Sequence, residues 1–214
     1  YGRRIKHADA TASLGIFWDY EHERDGILIT EIIEGGPLDK ARLDVTAGMI
    51  IEQIDGIPVT EERDWAAQLN RKADKYTLLE ILDPDTEERR QITVKPISSR
   101  QEYRLLYNRW VEMNREEVDK KSDGQLGYVH IPGMSDGPYR SIYEDMMGKF
   151  FQRKGIVVDT RFNGGGDLVA DLAMFFTGEP FLTYATEAKV VGGEPTSRWT
   201  KPTLAMFNEA NYSD

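Results

Sequence analysis

The sequence contains no cysteine. That removes disulfides, thiolate metal sites and a cysteine nucleophile, and it leaves the compartment open. Histidine is scarce: His7, His22 and His130 lie far apart without HxxH-type spacing, so no zinc site or other metal is expected. No apolar run approaches the roughly 20 residues of a membrane span. The longest, such as Gly155-Ile156-Val157-Val158, have the length of a core strand. Positive charge is in deficit, with a net charge of −10. A nucleic-acid binder needs clustered Lys and Arg to displace phosphate counterions, and that footprint is missing, so no nucleic-acid partner is expected. The acidity reads as a device for solubility. There is no initiating Met, no apolar leader, no internal repeat and no low-complexity tract. The chain starts at Tyr1 and stops on Tyr212-Ser213-Asp214, straight after a strand-like run, so both ends read as cut from a longer protein.

What is present is an ordinary globular balance, 40% hydrophobic and 30% charged, in 214 residues. That length suffices for one large domain or two small ones. Residues 11–97 read as a unit of short strands. Ser13 to Trp18 is an apolar run broken by Gly15, and Gly26 to Ile32 is a second strand. Gly35-Gly36-Pro37 signals a turn into a short helix through Arg42. Met49 to Ile54 is a third strand, ending in a tight Asp55-Gly56 hairpin turn. Thr60 is expected to cap a helix from Glu61 to about Arg71, with Trp65 and Leu69 on one face. Tyr76–Leu82 and Arg90–Val94 close the unit as a hairpin around Pro84-Asp85.

Ser99 to about Lys121 carries Tyr103, Leu106, Trp110 and Met113 at helical spacing, which predicts a connecting helix over residues 98–123. From residue 124 to 214 strand and helix alternate, the pattern of an α/β domain. Leu126–Pro132, Gly155–Thr160 and Thr203–Asn208 are the strands, and helices run from about Tyr139 to Arg153 and from Asp167 to Thr177. Ala185 to Lys201 has no clear period and is expected to be a long loop.

Three pieces of the first half resemble PDZ domains of the bacterial protease-associated kind. They are Ser13-Leu14-Gly15-Ile16, then Gly35-Gly36-Pro37-Leu38-Asp39-Lys40-Ala41 with Ala47-Gly48-Met49-Ile50, and Ile54-Asp55-Gly56-Ile57-Pro58-Val59. The resemblance implies peptide capture by strand addition, with a terminal carboxylate held in a nest of backbone N–H groups. Leu14, Gly15, Ile16 and Phe17 would form that loop, and Trp65 and Leu69 would line the side-chain pocket. Ser13 stands where the family has its first loop glycine. Taken singly, Leu14, Phe17 and Leu69 read more readily as core residues than as ligand contacts.

The second half resembles the S41 peptidases, in their tricorn branch. The resemblance rests on Gly127-Tyr128-Val129-His130-Ile131-Pro132, on Val157-Val158-Asp159-Thr160-Arg161-Phe162-Asn163-Gly164-Gly165-Gly166, and on Pro202 to Glu209 followed by Tyr212-Ser213-Asp214. Arg109 to Arg115 carries the tricorn-like part. The resemblance implies a PDZ-like β-barrel module of mixed α+β character, followed by part of a ClpP/crotonase-like α/β protease domain. It implies acyl transfer without a cofactor, Ser213 being the nucleophile and the backbone N–H groups of Gly166 and Asp214 the oxyanion donors. In the tricorn branch the base is a histidine before the PDZ domain, and in the C-terminal processing branch it is a lysine after the serine. Neither position falls within these residues, so the isolated chain is expected to be inactive.

The glycine triplet also invites a phosphate-cradle reading, but Asp167-Leu168 replaces the Gly-Lys-Ser/Thr of a Walker loop and Val169 stands where a dinucleotide fingerprint needs glycine. His130, tempting as a base, reads as a core histidine. The expected partners are peptides or unfolded proteins. A non-catalytic PDZ adaptor with a degenerate protease-like domain is the alternative. Tyr184-Ala185-Thr186 fills the stretch where related enzymes place an acidic specificity residue, so no strong preference for basic side chains is expected. Protein-processing relatives imply a cell-envelope or periplasmic home, and cytosolic tricorn members a cytoplasmic one.

Overall fold

The computed structural model describes residues 9–213, so the expectations for residues 1–8, His7 among them, and for Asp214 lie outside the described residues. The chain divides into two compact units, Tyr1–Arg109 and Trp110–Asp214.

The first unit opens with β1 (Ala12–Ser13), β2 (Ile16–Trp18) and β3 (Ile27–Ile32). It continues with β4 (Ile50–Ile54), β5 (Ile57–Pro58), β6 (Thr77–Asp83), β7 (Glu88–Val94) and β8 (Ile97–Ser98). An antiparallel sheet runs in the order β2-β3-β4-β6-β7, with β5 on β4, and β1 pairs separately with β8. Alternation builds it: along β6, Thr77, Leu79 and Ile81 are buried while Leu78, Glu80 and Leu82 are less so. Ile29, Ile51, Ile54, Leu79 and Ile81 are fully covered, and each such side chain contributes about 1.5–3 kcal/mol. The turn between β4 and β5 uses Asp55 and Gly56 at positive φ, as their sequence suggests.

The helices of this unit are shorter than expected. The run after Pro37 yields only a single 3-10 turn, Ala41–Leu43. The stretch Glu61–Arg71 yields a 3-10 helix over Trp65–Leu69, capped by Asp64, whose carboxylate accepts the Ala66 N–H at 3.0 Å, and not by Thr60. Four polar residues, Glu61 to Asp64, offer no apolar face for a longer helix to bury.

Helix α1 spans Ser99–Lys121, as the spacing of its apolar residues predicts. Its residues through Arg109 belong to the first unit and those from Trp110 to the second. The second unit has β9 (Leu126–His130), α2 (Asp136–Glu144), β10 (Gly155–Asp159) and α3 (Val169–Thr177), then β11 (Leu182–Ala185), β12 (Val190–Glu194) and β13 (Thr203–Met206). A parallel sheet runs β13-β10-β9. Its central strand β10 is buried throughout, which is why it reads as a continuous apolar run. Val129, Ile131, Ile156 and Val158 pack with Ile142, Met146, Phe150 and Phe175 into one core.

The helix expected from Tyr139 to Arg153 begins earlier, at Asp136, and its last part, Asp145–Lys149, widens into a π-helical turn. The expected helix from Asp167 starts at Val169 and stops at Gly178, which takes the left-handed conformation of a C-terminal cap. The expected loop Ala185–Lys201 instead contributes β12, paired antiparallel with β11, and Thr186 closes the turn on the Lys189 carbonyl at 2.9 Å. The Gly192-Gly193 pair hides this hairpin from the sequence, yet Gly193 permits it. A Cβ there would stand 2.8 Å from the Leu182 carbonyl oxygen.

Candidate active site

In the second unit the chain leaves β10 through Thr160-Arg161-Phe162-Asn163 into three glycines, and leaves β13 through residues 207–212 to Ser213. The two exits are neighbours because β10 and β13 are parallel partners. The carboxyl ends of parallel strands are where loops from adjacent strands converge. Hydrogen bonds staple them. The Thr160 N–H donates to the Met206 carbonyl at 2.8 Å and the Tyr212 N–H to the Asn163 carbonyl at 3.0 Å. The Phe162 N–H donates to Asn208 Oδ1 at 3.1 Å, and the Asn211 amide to Thr160 Oγ1 at 3.0 Å.

Ser213 is exposed and takes φ 62°, a left-handed conformation uncommon outside glycine. Phe162, Gly165 and Gly166 also have positive φ. Two non-glycine residues in the left-handed region, Phe162 and Ser213, thus lie on the two facing loops. Gly165 lies directly against the serine: a Cβ on it would stand 2.5 Å from the Tyr212 carbonyl oxygen and 2.7 Å from Ser213 Cβ. Only glycine allows that approach.

Among the loop's N–H groups most are already committed. Gly164 donates to the Pro132 carbonyl at 3.0 Å and Asp167 to the Met134 carbonyl at 2.9 Å. Gly165 donates to Asn163 Oδ1 at 2.7 Å. The Gly166 N–H makes no hydrogen bond to the described residues, and the Ser213 hydroxyl makes none either. An uncommitted N–H in a loop that packs against an exposed serine is available to hold a substrate oxyanion. Of the sequence-derived site residues, the structure thus brings Ser213 and the Gly166 loop together.

Beneath the loop lies a buried polar cluster that the sequence does not announce. Asp159 is fully buried and receives the Tyr128 hydroxyl at 2.7 Å, the Arg161 N–H at 2.9 Å and the Arg161 guanidinium at 2.6 Å. Burial alone would raise its carboxyl, but the bonds from Arg161 and Tyr128 outweigh it and hold the group below the usual carboxylate range. Burial, reinforced by the Asp159 charge, pushes the Tyr128 hydroxyl well up. His130 Nε2–H donates to the Arg161 carbonyl at 2.8 Å, and its ring meets Trp110 edge-to-face at 4.9 Å. Burial pushes His130 down from its ordinary value, against the opposing bond to that carbonyl. The ring is thus buried and bonded to the backbone, the surroundings of a core histidine.

In the first unit the six peptide-binding candidates divide. Leu14, Ile16 and Leu69 sink into the core. Gly15 has φ 67°, and a Cβ on it would stand 2.8 Å from Pro37 Cδ. Its N–H donates to Ser13 Oγ at 2.9 Å, and the Ser13 hydroxyl donates in turn to the Glu102 carboxylate. Phe17 is exposed on β2, with the Arg109 guanidinium 5.2 Å above its ring and paired with Glu31. Trp65 meets Trp18 edge-on at 5.2 Å. Sequence places Ser13 in this loop but not its partner Glu102, which lies 89 positions away.

Among the described residues no group of acidic, histidine or cysteine side chains could hold a metal ion, and no helix is long and apolar enough to cross a membrane. Residues 13–99 match the tricorn protease PDZ domain and residues 125–214 match peptidase family S41. The chain is 33% identical over 165 residues to a tricorn protease homolog of Saccharolobus solfataricus, which involves 73% of this chain and 15% of that protein. It is 29% identical over 157 residues to the tricorn protease of Thermoplasma volcanium, 69% of this chain and again 15% of the relative. The crystal structure of the tricorn protease superposes with a TM-score of 0.69 at 22% identity, over 94% of this chain and 20% of that one, a likeness of fold. The chain thus spans under a fifth of the length of these two sequence relatives.

Proposed function

Because residues 125–214 belong to peptidase family S41 and residues 13–99 are a tricorn-type PDZ domain, we propose that the protein of which this chain forms part is a serine peptidase whose nucleophile is Ser213. In the proposed step Ser213 Oγ bonds to the carbonyl carbon of a peptide, and the carbonyl π electrons move to oxygen. The Gly166 N–H holds that oxyanion, together with the N–H of Asp214. The serine proton passes to a base and from there to the leaving amine as the C–N bond breaks. Water then hydrolyses the ester. In this reading the base comes from elsewhere in the enzyme, and the isolated chain is inactive. The PDZ unit contributes by binding peptide or protein segments along the free edge of β2.

One observation carries this reading: an exposed serine in a left-handed conformation, pressed against Gly165 beside the uncommitted Gly166 N–H. The family and relatives named above favour it over a non-catalytic adaptor. Ser213→Ala in the full-length protein should lower peptide hydrolysis by at least about a thousandfold with an unchanged circular-dichroism spectrum. Retention of most of the activity by a folded variant would refute the assignment.

A further inference from the structure

We propose that Asn163 is a positioning residue for this hydrolysis: its side chain sets the loop that carries the oxyanion donor, and its backbone carbonyl holds the segment that bears the nucleophile. The inference rests on the reading of Ser213 and Gly166 given above. Asn163 is 1% exposed. Its Nδ2 donates to the Ile131 carbonyl at 2.8 Å, just beyond β9. Its Oδ1 accepts the Gly165 N–H at 2.7 Å. Its own carbonyl accepts the N–H of Tyr212, the residue before Ser213, at 3.0 Å. Three chain segments meet on one residue: the run-out of β9, the glycine loop and the approach to the serine.

The consequence lies in which N–H is left over. Gly165 would otherwise present a competing donor, one residue away from Gly166. Asn163 engages that N–H, and the Met134 N–H engages the Gly165 carbonyl at 2.9 Å, so both polar groups of Gly165 are held. The next donor along, Gly166, is released with a fixed direction. Because the Asn163 carbonyl also fixes Tyr212, movement of this residue would shift donor and nucleophile together. Asparagine suits the post: its side chain offers both a donor and an acceptor at this reach. An ionised aspartate would set a carboxylate oxygen against the Ile131 carbonyl, and alanine would release all the side-chain bonds. A residue needed only to fill the core would not have its hydrogen bonds fall on the two pieces that carry the reacting groups.

The test uses the full-length enzyme, with active sites of Asn163→Ala and Asn163→Asp counted by titration with a fluorophosphonate, and with Ser213→Ala normalised to protein concentration. Asn163→Ala should lose about a hundredfold in kcat per titrated site, the scale of a lost oxyanion donor, with KM within about threefold of wild type. Asn163→Asp should lose as much at pH 8. Relative to wild type it should recover as pH falls, because a protonated carboxyl again donates to Ile131 while accepting from Gly165. A purely structural role would reduce the number of titrated sites and leave kcat per site and the pH ratio unchanged. That result, or a flat pH ratio for Asn163→Asp, would overturn the proposal, and the aspartate variant decides if the alanine variant does not fold. Activity retained by Ser213→Ala would instead bring down the peptidase reading, and this inference with it.

Discussion

The two units treat buried polarity differently. In the first, Thr77 is the only fully buried polar residue among the described positions, and the sheet is held by aliphatic side chains such as Ile51, Leu79 and Ile81. In the second, His130, Asp159 and Asn163 are buried, all at or just beyond the carboxyl ends of β9 and β10. Apolar packing tolerates small displacements, because dispersion contacts are many and non-directional. Hydrogen bonds inside a protein are directional and cost heavily when one partner is lost. The first unit is thus built for cohesion and the second for exact placement, with its polar residues set where the strands deliver their loops.

That contrast can be broken by experiment. Asp159→Ala should produce the largest effect. It leaves the Arg161 guanidinium and the Tyr128 hydroxyl without their partner and should cost about 3–5 kcal/mol, read as a lowered melting transition of the second unit. Leu79→Ala should cost about 2–5 kcal/mol, with the loss confined to the first unit's transition. If either substitution lowered both transitions equally, the units would not be separate stability domains. The smallest effect should come from pH. Folding lowers the pKa of His130, so below about pH 6.5 the unfolded chain takes up a proton that the folded chain refuses. Stability of the second unit should therefore fall with acidification from that point, by at most ~1.4 kcal/mol per pH unit. The lowered carboxyl of Asp159 acts in the same direction at more acid pH, below its unfolded value of about 3.9. His130→Phe should flatten the first of these slopes, monitored by urea denaturation at a series of pH values.

Much of this was legible in the sequence, and the exceptions share a cause. β10 announces itself because a strand covered on both faces is continuously apolar, and α1 because its apolar residues recur at helical spacing. The glycine triplet was visible, since few residues besides glycine tolerate such close backbone approach. The β11–β12 hairpin was not, because Gly192 and Gly193 erase the alternation that marks a strand. The Asp64 cap was missed because Thr60 is an equally good candidate on residue type alone. The left-handed Ser213 could not be read either, since no local preference produces it; Gly165 packs against it and the Asn163 carbonyl holds its neighbour Tyr212. Asp159-Thr160-Arg161 looks like any polar strand end. Only the fold shows that the charges turn inward to meet Tyr128.

The stapling of the two loops also bears on when the site comes into being. Phe162 and the Asn208 side chain that it meets are 46 positions apart, and their contact requires β13 to have docked on β10. Long-range parallel pairing forms late and slowly, because the chain must close large loops before it gains the contacts. Until that docking occurs, nothing holds Ser213 in its left-handed turn or sets Gly165 beside it. The arrangement of the two loops therefore cannot exist in a nascent or half-folded chain, and the proposed site is assembled only when the sheet is complete.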